Sequence, residues 1–368
     1  MSVYLDHNAT WPVLPEVAAL VGRWLSVPAN PSSAHRAGQA AASAVEEARA
    51  QVAALVGADP AGVVFTSGAT EALHLGLRGA LARGGGLALT TVEHPAVHAV
   101  ADAVEAEGRA VHRLPVDADG RWAGGALPAG VGVLAVQAAN HETGVLQDPS
   151  VVHAAADAAG AWLLVDAAQA AGRVPVVASR ADGVVLSAHK LGGPVGVGAL
   201  VLRDPGPFPA LFGGTQERGR RGGTVPTALV AGMGLAAALA AREREGRVRT
   251  WAARQERLEG ALVALGGHVV GRGVPRLANT TLVTFDGLRG DTLVQALDLR
   301  GVQASAGAAC ASGSRLPSRT LRALGHPWPE GALRLSQGPG TTDDEVDRLL
   351  AVLPEVLRGV REAAAWEA

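Results

Sequence analysis

The sequence predicts an α/β fold, with a large domain on a mostly parallel sheet followed by a smaller α+β domain. Three observations predict it. Between residues 60 and 202, short β-rich runs alternate with helical segments, as in a sheet whose parallel strands are joined by crossover helices. Past about residue 250 that alternation gives way to isolated strands and a long terminal helix. Polar residues also gather at the predicted strand ends, where open α/β sheets bind ligands.

Residues 63–66 read as a strand and "GATEALHLGLRGALA" as a helix. Residues 87–91 are a strand, 95–107 a helix opened by a proline, and 110–114 and 131–137 are strands. Residues 149–159 read as a helix, and 162–166, 183–187 and 197–202 as strands. Two helices are predicted at about 226–245 and 247–264. Strands at 279–285 and 332–336 flank a helix at 291–299, and a helix over 343–366 opens on a capping box of Thr342 and Glu345. The expected organisation is an N-terminal arm (1–15) packing with the small domain, a large domain (16–250) and a small C-terminal domain (251–368).

Composition excludes several classes of function. A net charge of −2 offers nothing to nucleic acid or an anionic membrane. The longest apolar stretch, about 228–241, is too short and too rich in alanine and glycine to span a bilayer. "MSVYLDHNAT" has neither a basic nor an apolar leader segment. One cysteine rules out an internal disulfide and fits a reducing compartment, so a cytoplasmic location is expected.

Lys190 is the only lysine, and the other 31 of the 32 basic residues are arginine. Arginine stays protonated, whereas a desolvated lysine becomes an amine able to form a Schiff base. The plain reading is arginine-favouring codon usage with one surviving lysine. Its place weighs against that, because Lys190 follows a buried strand and precedes Gly192 and Gly193.

Other residues join it. "TSGATE" (66–71) puts Ala69 and Thr70 at a strand-to-helix turn whose backbone N–H groups suit an anion, although many such turns merely cap a helix. Asp166 ends an apolar strand, where its carboxylate needs a cationic partner unless it caps the next helix, and Gln169 is three residues on. His94 stands at a strand end before Pro95, placed to stack on an aromatic cofactor or simply to cap the helix. His94 and His98 have a zinc-like spacing but no third-ligand pattern, so no metal is expected. Cys310, in "ASAGAACASGS", has nothing bulky to pack against and reads as a reactive thiol on a mobile loop. An amine, an anion cradle and an acid for a ring nitrogen together call for pyridoxal phosphate.

The chain resembles, nearly end to end, the cysteine desulfurases of the NifS/IscS type, in the class V aminotransferase group of fold-type I pyridoxal-phosphate enzymes. The similarity lies in the joint order of "YLDHNAT", "NPSSAHRAGQAA", "VVFTSGATEA", "EHPAV", "NHETGVLQ", "VDAAQAAG", "SAHKLGGPVGVGAL", "QERGRRGGTVP", "SAGAACAS", "LRALG" and "LRLSQGPGTT". It implies a central sheet with helices on both faces. It implies that Lys190 holds the cofactor and moves the substrate Cα proton, while Asp166 pairs with the ring nitrogen, Gln169 bonds the phenolate oxygen and His94 stacks on the ring. Ala69, Thr70, Ser187 and His189 would bind the phosphate, and Thr224 would reach the phosphate of the other subunit in a homodimer. Arg334 would pair with the carboxylate of L-cysteine, and Cys310 would take the sulfur as a persulfide for an acceptor protein serving iron–sulfur assembly or tRNA thiolation. The spacing from Cys310 to "LRALG" resembles the subgroup whose long cysteine loop swings out to partners.

Two departures bear on the substrate. His141 stands where the family usually has a second asparagine, near the phenolate and the substrate carboxylate. Gln337 and Pro339 replace the usual Leu and Arg beside Arg334. A pyridoxal-phosphate lyase or aminotransferase on another amino acid, such as a selenocysteine lyase, and a weakly catalytic sulfur-relay scaffold therefore stand as alternatives.

Overall fold

The structure, a computed structural model, describes residues 2–28, 30–204, 208–307 and 317–367. Cys310 lies outside the described residues.

The chain opens with β1 (Val3–Tyr4), α1 (Pro15–Leu25) and α2 (Arg36–Val56), then alternates. There follow β2 (Val63–Thr66), α3 (Ala69–Leu81), β3 (Gly86–Thr90), α4 (Pro95–Ala106), β4 (Val111–Leu114) and β5 (Val131–Gln137). Next come α5 (Pro149–Ala159), β6 (Trp162–Asp166), β7 (Gly183–Ser187) and β8 (Gly198–Leu202). α6 (Thr227–Ala264) leads to β9 (Gly267–Val269), β10 (Thr280–Phe285), α7 (Gly290–Asp298), β11 (Val302–Gln303), α8 (Arg319–Ala323), β12 (Leu333–Ser336) and α9 (Asp343–Glu367).

Seven strands form the central sheet in the order β2-β8-β7-β6-β5-β3-β4. β8 runs antiparallel to both its neighbours and the remaining pairs are parallel, so this is the predicted α/β architecture. Successive side chains of a strand point to opposite faces, so each strand feeds two cores. Leu134, Val136, Val184 and Leu186 pack on the side of α2 and α6, while Val133, Ala135, Leu164 and Val185 pack on the side of α3 and α4. Burial on both faces is why these strands read as continuous apolar runs.

A third core gathers β10, β12, α7 and α9 with Val3 and Leu5 of the N-terminus. β1 pairs in parallel with β11, and Asp6 bridges to Ser336. This route carries residues 8–10 under the ends of the central strands. α9 begins with the expected capping box, with the Glu345 N–H donating to Thr342 Oγ1 at 3.2 Å and the Thr342 N–H to Glu345 Oε2 at 2.8 Å. Among the described residues no helix is long and apolar enough to cross a membrane.

One expectation fails. The helices predicted at 226–245 and 247–264 are a single helix of 38 residues, α6. Gly246 alone is too weak a break without a proline, and the Glu243–Arg247 ion pair, at 2.6 Å and one turn apart, spans it.

Candidate active site

A cavity of about 380 Å³ opens beyond the carboxyl ends of the central strands. Ala69, Thr70, His94, His141, Asp166, Gln169, Ser187, His189, Lys190 and Arg334 all line it. They come from well-separated stretches of chain, so the convergence is a product of topology. Thr224 does not line it and is exposed. The stretch around Thr224 is tied down close by, through the buried Arg49–Glu217 pair and through Arg221, whose Nε donates to Glu71 Oε1 at 2.9 Å.

The floor is set by backbone approach. A Cβ at Gly198 would fall 2.6 Å from the carbonyl carbon of Gly68, so the start of β8 lies directly against the turn before α3. Gly68 is the N-cap of α3 and supplies no side-chain cap, which leaves the first N–H groups of the helix to face an anion. Ser187, the last residue of β7, is buried beside that turn.

Lys190 follows β7 in a single 3₁₀ turn. Its Nζ donates to the carbonyl oxygens of Asn8 and, at 2.8 Å, Ala9. Gln169 Nε2 donates to the same Asn8 oxygen at 3.0 Å, and Gln169 Oε1 accepts from Arg173 Nη1 at 3.0 Å. These carbonyls and Arg173 were invisible to residue-type reasoning, because a carbonyl has no residue signature and Arg173 is one arginine among many. Burial pushes the Arg173 guanidinium down to about 9. His189 is pushed down to about 4, by burial first and then by Lys190 and Arg173, and its Nδ1 lies 3.2 Å from Thr10 Oγ1.

Asp166 ends β6, buried. Burial raises its carboxyl above the ordinary value, with His94 and Lys190 pulling the other way, and its Oδ1 accepts from the Ala168 N–H at 2.9 Å. That bond closes a turn rather than capping a helix. His94 caps α4, with Nδ1 accepting from the Ala96 N–H at 3.1 Å, and it also meets His141 edge-on at 5.1 Å between ring centroids. The capping role therefore leaves the His94 ring at the cavity. Burial foremost, followed by His94 and Arg334, pushes His141 well below the usual imidazole range, so it is neutral at pH 7.

Arg334, on β12, is almost fully buried. Its Nη1 donates to His141 O at 2.9 Å and its Nη2 to Asp6 Oδ1 at 2.7 Å. Arg334 Nε and His141 Nδ1 are both buried without a hydrogen-bond partner among the described residues. Buried donors and acceptors are seldom left so, and both residues line the cavity. The altered residue Gln337 faces elsewhere, donating through Nε2 to Trp251 O at 3.4 Å.

The donor set fits pyridoxal phosphate: an amine, uncapped helix N–H groups for a phosphate, and a buried carboxyl for a protonated ring nitrogen. The model of the class V aminotransferases matches residues 3–349. The chain belongs to the class V aminotransferase family. A cysteine desulfurase of Cereibacter sphaeroides is 41% identical over 100% of this chain and 98% of its own length. Among solved structures, a NifS-like protein superposes with a TM-score of 0.89 at 29% identity, covering 98% of this chain and all of its own. SspA, solved in complex with cysteine, has a TM-score of 0.81 at 29% identity, covering 93% of this class V aminotransferase and all of SspA.

Proposed function

We propose that this class V aminotransferase is a pyridoxal-phosphate-dependent cysteine desulfurase that converts L-cysteine to L-alanine and leaves a persulfide on Cys310. One observation carries the reading. The only lysine of the chain, a buried carboxyl, an uncapped helix start and a buried arginine with an unpaired Nε among the described residues converge on one cavity. Full-length likeness to named cysteine desulfurases supports it.

The residues divide the work. Lys190 would hold the cofactor through Nζ, Asp166 would pair with its ring nitrogen, and the start of α3 with Ser187 and His189 would receive its phosphate. Bound there, the cofactor acts as an electron sink that loosens the bonds of the substrate α-carbon. Gln169 and His141, which line the same cavity, would serve the phenolate oxygen, and His94 would stack on the ring. Arg334, steadied by Asp6 and His141 O, presents Nε to a substrate carboxylate. Lys190 Nζ would carry the Cα proton of the substrate, and the Asn8 and Ala9 carbonyls that accept from it offer a place for its ammonium form. Neutral His141 adds no positive charge near Lys190. Cys310 then supplies the thiolate that takes the substrate sulfur.

The expected assembly is a homodimer in which Thr224, exposed on the stretch tied to Glu71, reaches the phosphate of the second subunit. The persulfide passes to a sulfur-acceptor protein.

The test is to incubate the holoprotein with L-cysteine and to assay L-alanine and cyanide-releasable sulfur. Equal amounts of both are expected, with sulfur release abolished in Cys310→Ser. Sulfur release that survives in Cys310→Ser removes the thiol assignment. Keto-acid product without sulfur points instead to an aminotransferase.

A further inference from the structure

Glu142 sits one residue past His141 and points away from the cavity. The turn that carries both is closed by Asn140, whose Oδ1 accepts from the N–H groups of Glu142 and Thr143, each at 2.9 Å. His141 faces the cavity and its carbonyl holds Arg334. The Glu142 carboxylate is almost fully buried and receives two hydroxyls, Ser318 Oγ and Thr320 Oγ1, both at 2.7 Å.

Those two residues stand at and just inside the start of α8, where the described chain resumes after residue 316. On the other side, a Cβ at Gly307 would lie 2.7 Å from Glu142 Oε2. One carboxylate therefore touches the last described residue before the stretch 308–316 and the first turn after it. Cys310 belongs to that stretch. Two residues before Gly307, the backbone of Ser305 exchanges hydrogen bonds with Arg334. The turn 140–143 thus joins the guanidinium at the cavity to both anchors of the cysteine-bearing stretch.

A buried carboxylate costs desolvation energy. Here no Arg or Lys pairs with it among the described residues, and the imidazole Nε2 of His141 is 3.7 Å away. Two short hydroxyl bonds offset the cost, and they are directional. In general, fixing both ends of a chain segment narrows the space open to the residues between them and raises their effective concentration at a nearby site.

We propose that Glu142 is a positioning residue for sulfur transfer. By binding Ser318 and Thr320 against the turn that holds His141, it sets where the Cys310 stretch is anchored and so the approach of the thiol to substrate sulfur. This rests on the desulfurase reading. In the step concerned the Cys310 sulfur forms an S–S bond to the substrate sulfur while the substrate C–S bond breaks. The electron pair of that bond stays with the carbon skeleton, which gains a proton. The sulfur is thereby oxidised and the carbon reduced, and Cys310 thiol plus L-cysteine becomes persulfide plus L-alanine with no outside oxidant.

The test uses holoenzyme variants Glu142→Gln, Thr320→Val and Thr320→Ser in single turnovers with L-cysteine. Two signals are followed: the change in cofactor absorbance as substrate binds, and the persulfide on Cys310 by alkylation and mass spectrometry. We expect the absorbance step and the KM for L-cysteine to stay within about twofold, while persulfide formation slows about tenfold in Glu142→Gln and less in Thr320→Val. Thr320→Ser, which keeps the hydroxyl, retains the wild-type rate. Persulfide forming at the wild-type rate in Glu142→Gln overturns the proposal, and so does a parallel slowing of both steps with a lowered melting temperature. If Glu142→Gln does not fold, Thr320→Val against Thr320→Ser decides. Wild-type protein that makes neither alanine nor persulfide removes the desulfurase reading itself, which equal rates in wild type and variants leave standing.

Discussion

Two cavities meet at Gln137, and the smaller one gathers the residues that carry the proposed chemistry. The one beyond the strand ends, about 380 Å³, is lined by Lys190, Asp166, Arg334 and three imidazoles. The other, about 650 Å³, lies against β5, β6, β7 and α5, and its walls include Val136, Val152, Val165, Val174 and Val184. It has charged groups too, but Arg121 faces Asp148 at 3.6 Å. Size follows from how well side chains fill the space between layers. Chemistry follows from topology, because only at the carboxyl ends of parallel strands do several loops converge on one point. Perturbing the first cavity should therefore alter the reaction, and perturbing the second should alter stability alone.

The largest effect should come from Lys190→Ala. It removes the amine proposed to anchor the cofactor and carry the proton, so kcat should fall by about 10³-fold or more, with the cofactor absorbance weakened or lost. Retained turnover would separate the cavity from the reaction. Arg334→Lys should come next. A lysine ammonium, a compact charge without the planar fork, cannot span both His141 O and Asp6 while aiming a third donor at the cavity. Loss of one charge-assisted bond to the substrate carboxylate should raise KM for L-cysteine about 10- to 100-fold with a smaller change in kcat. An unchanged KM would place the carboxylate elsewhere.

The sequence showed the first cavity better than the second for a physical reason. Lysine, aspartate and histidine announce a chemistry, and strands buried on both faces read plainly, so 131–137, 162–166 and 183–187 agree with the structure residue for residue. An apolar cavity announces nothing, since valine serves equally in a filled core. The same limit hid Glu142, whose proposed role depends on hydroxyls 176 and 178 positions away. Helices α1 and α2 had no strand beside them to mark their limits, although Pro15 starts one and Gly57, at φ 64°, ends the other. β1, β9 and β11, of two or three residues, are too short to show any periodicity.

Acid should also distinguish the two sites. Burial lowers His189 at the first cavity and His98 on α4 to about 4 and pushes His141 at the first cavity well below the usual imidazole range, whereas His153 in the second is lowered by burial and then by Arg180. A histidine held neutral in the fold but titrating normally when unfolded makes unfolding take up a proton. Stability from such groups is present above pH about 6.5 and is lost as pH falls toward 4. Glu93 and Asp166, raised by burial, act with the opposite sign, and their contribution is lost as pH rises through their folded-state values. His98→Gln removes one acid-sensitive group outside the proposed catalytic set. The drop in melting temperature between pH 7 and pH 5 should shrink by a few degrees relative to wild type, with His98 worth about 1–2 kcal/mol over that span. An unchanged drop would mean that His98 is already solvated.

The smallest effect should come from Val152→Ile on α5, which adds one methylene into the larger cavity. The branched Cβ is kept, so helix propensity hardly changes. The new carbon enters apolar space, and the gain should be about 0.5–1 kcal/mol, visible as a melting temperature raised by one to a few degrees. Catalysis should stay within about twofold of wild type, because nothing on α5 reaches Lys190 or Arg334 and the shared wall is the single residue Gln137. That residue is held on its own side, with Nε2 donating to Val92 O at 2.5 Å in the stretch leading to His94. Should Val152→Ile stabilise the fold and yet change kcat/KM more than about fivefold, filling one cavity would be felt in the other through β5, and the division of labour between them would fail.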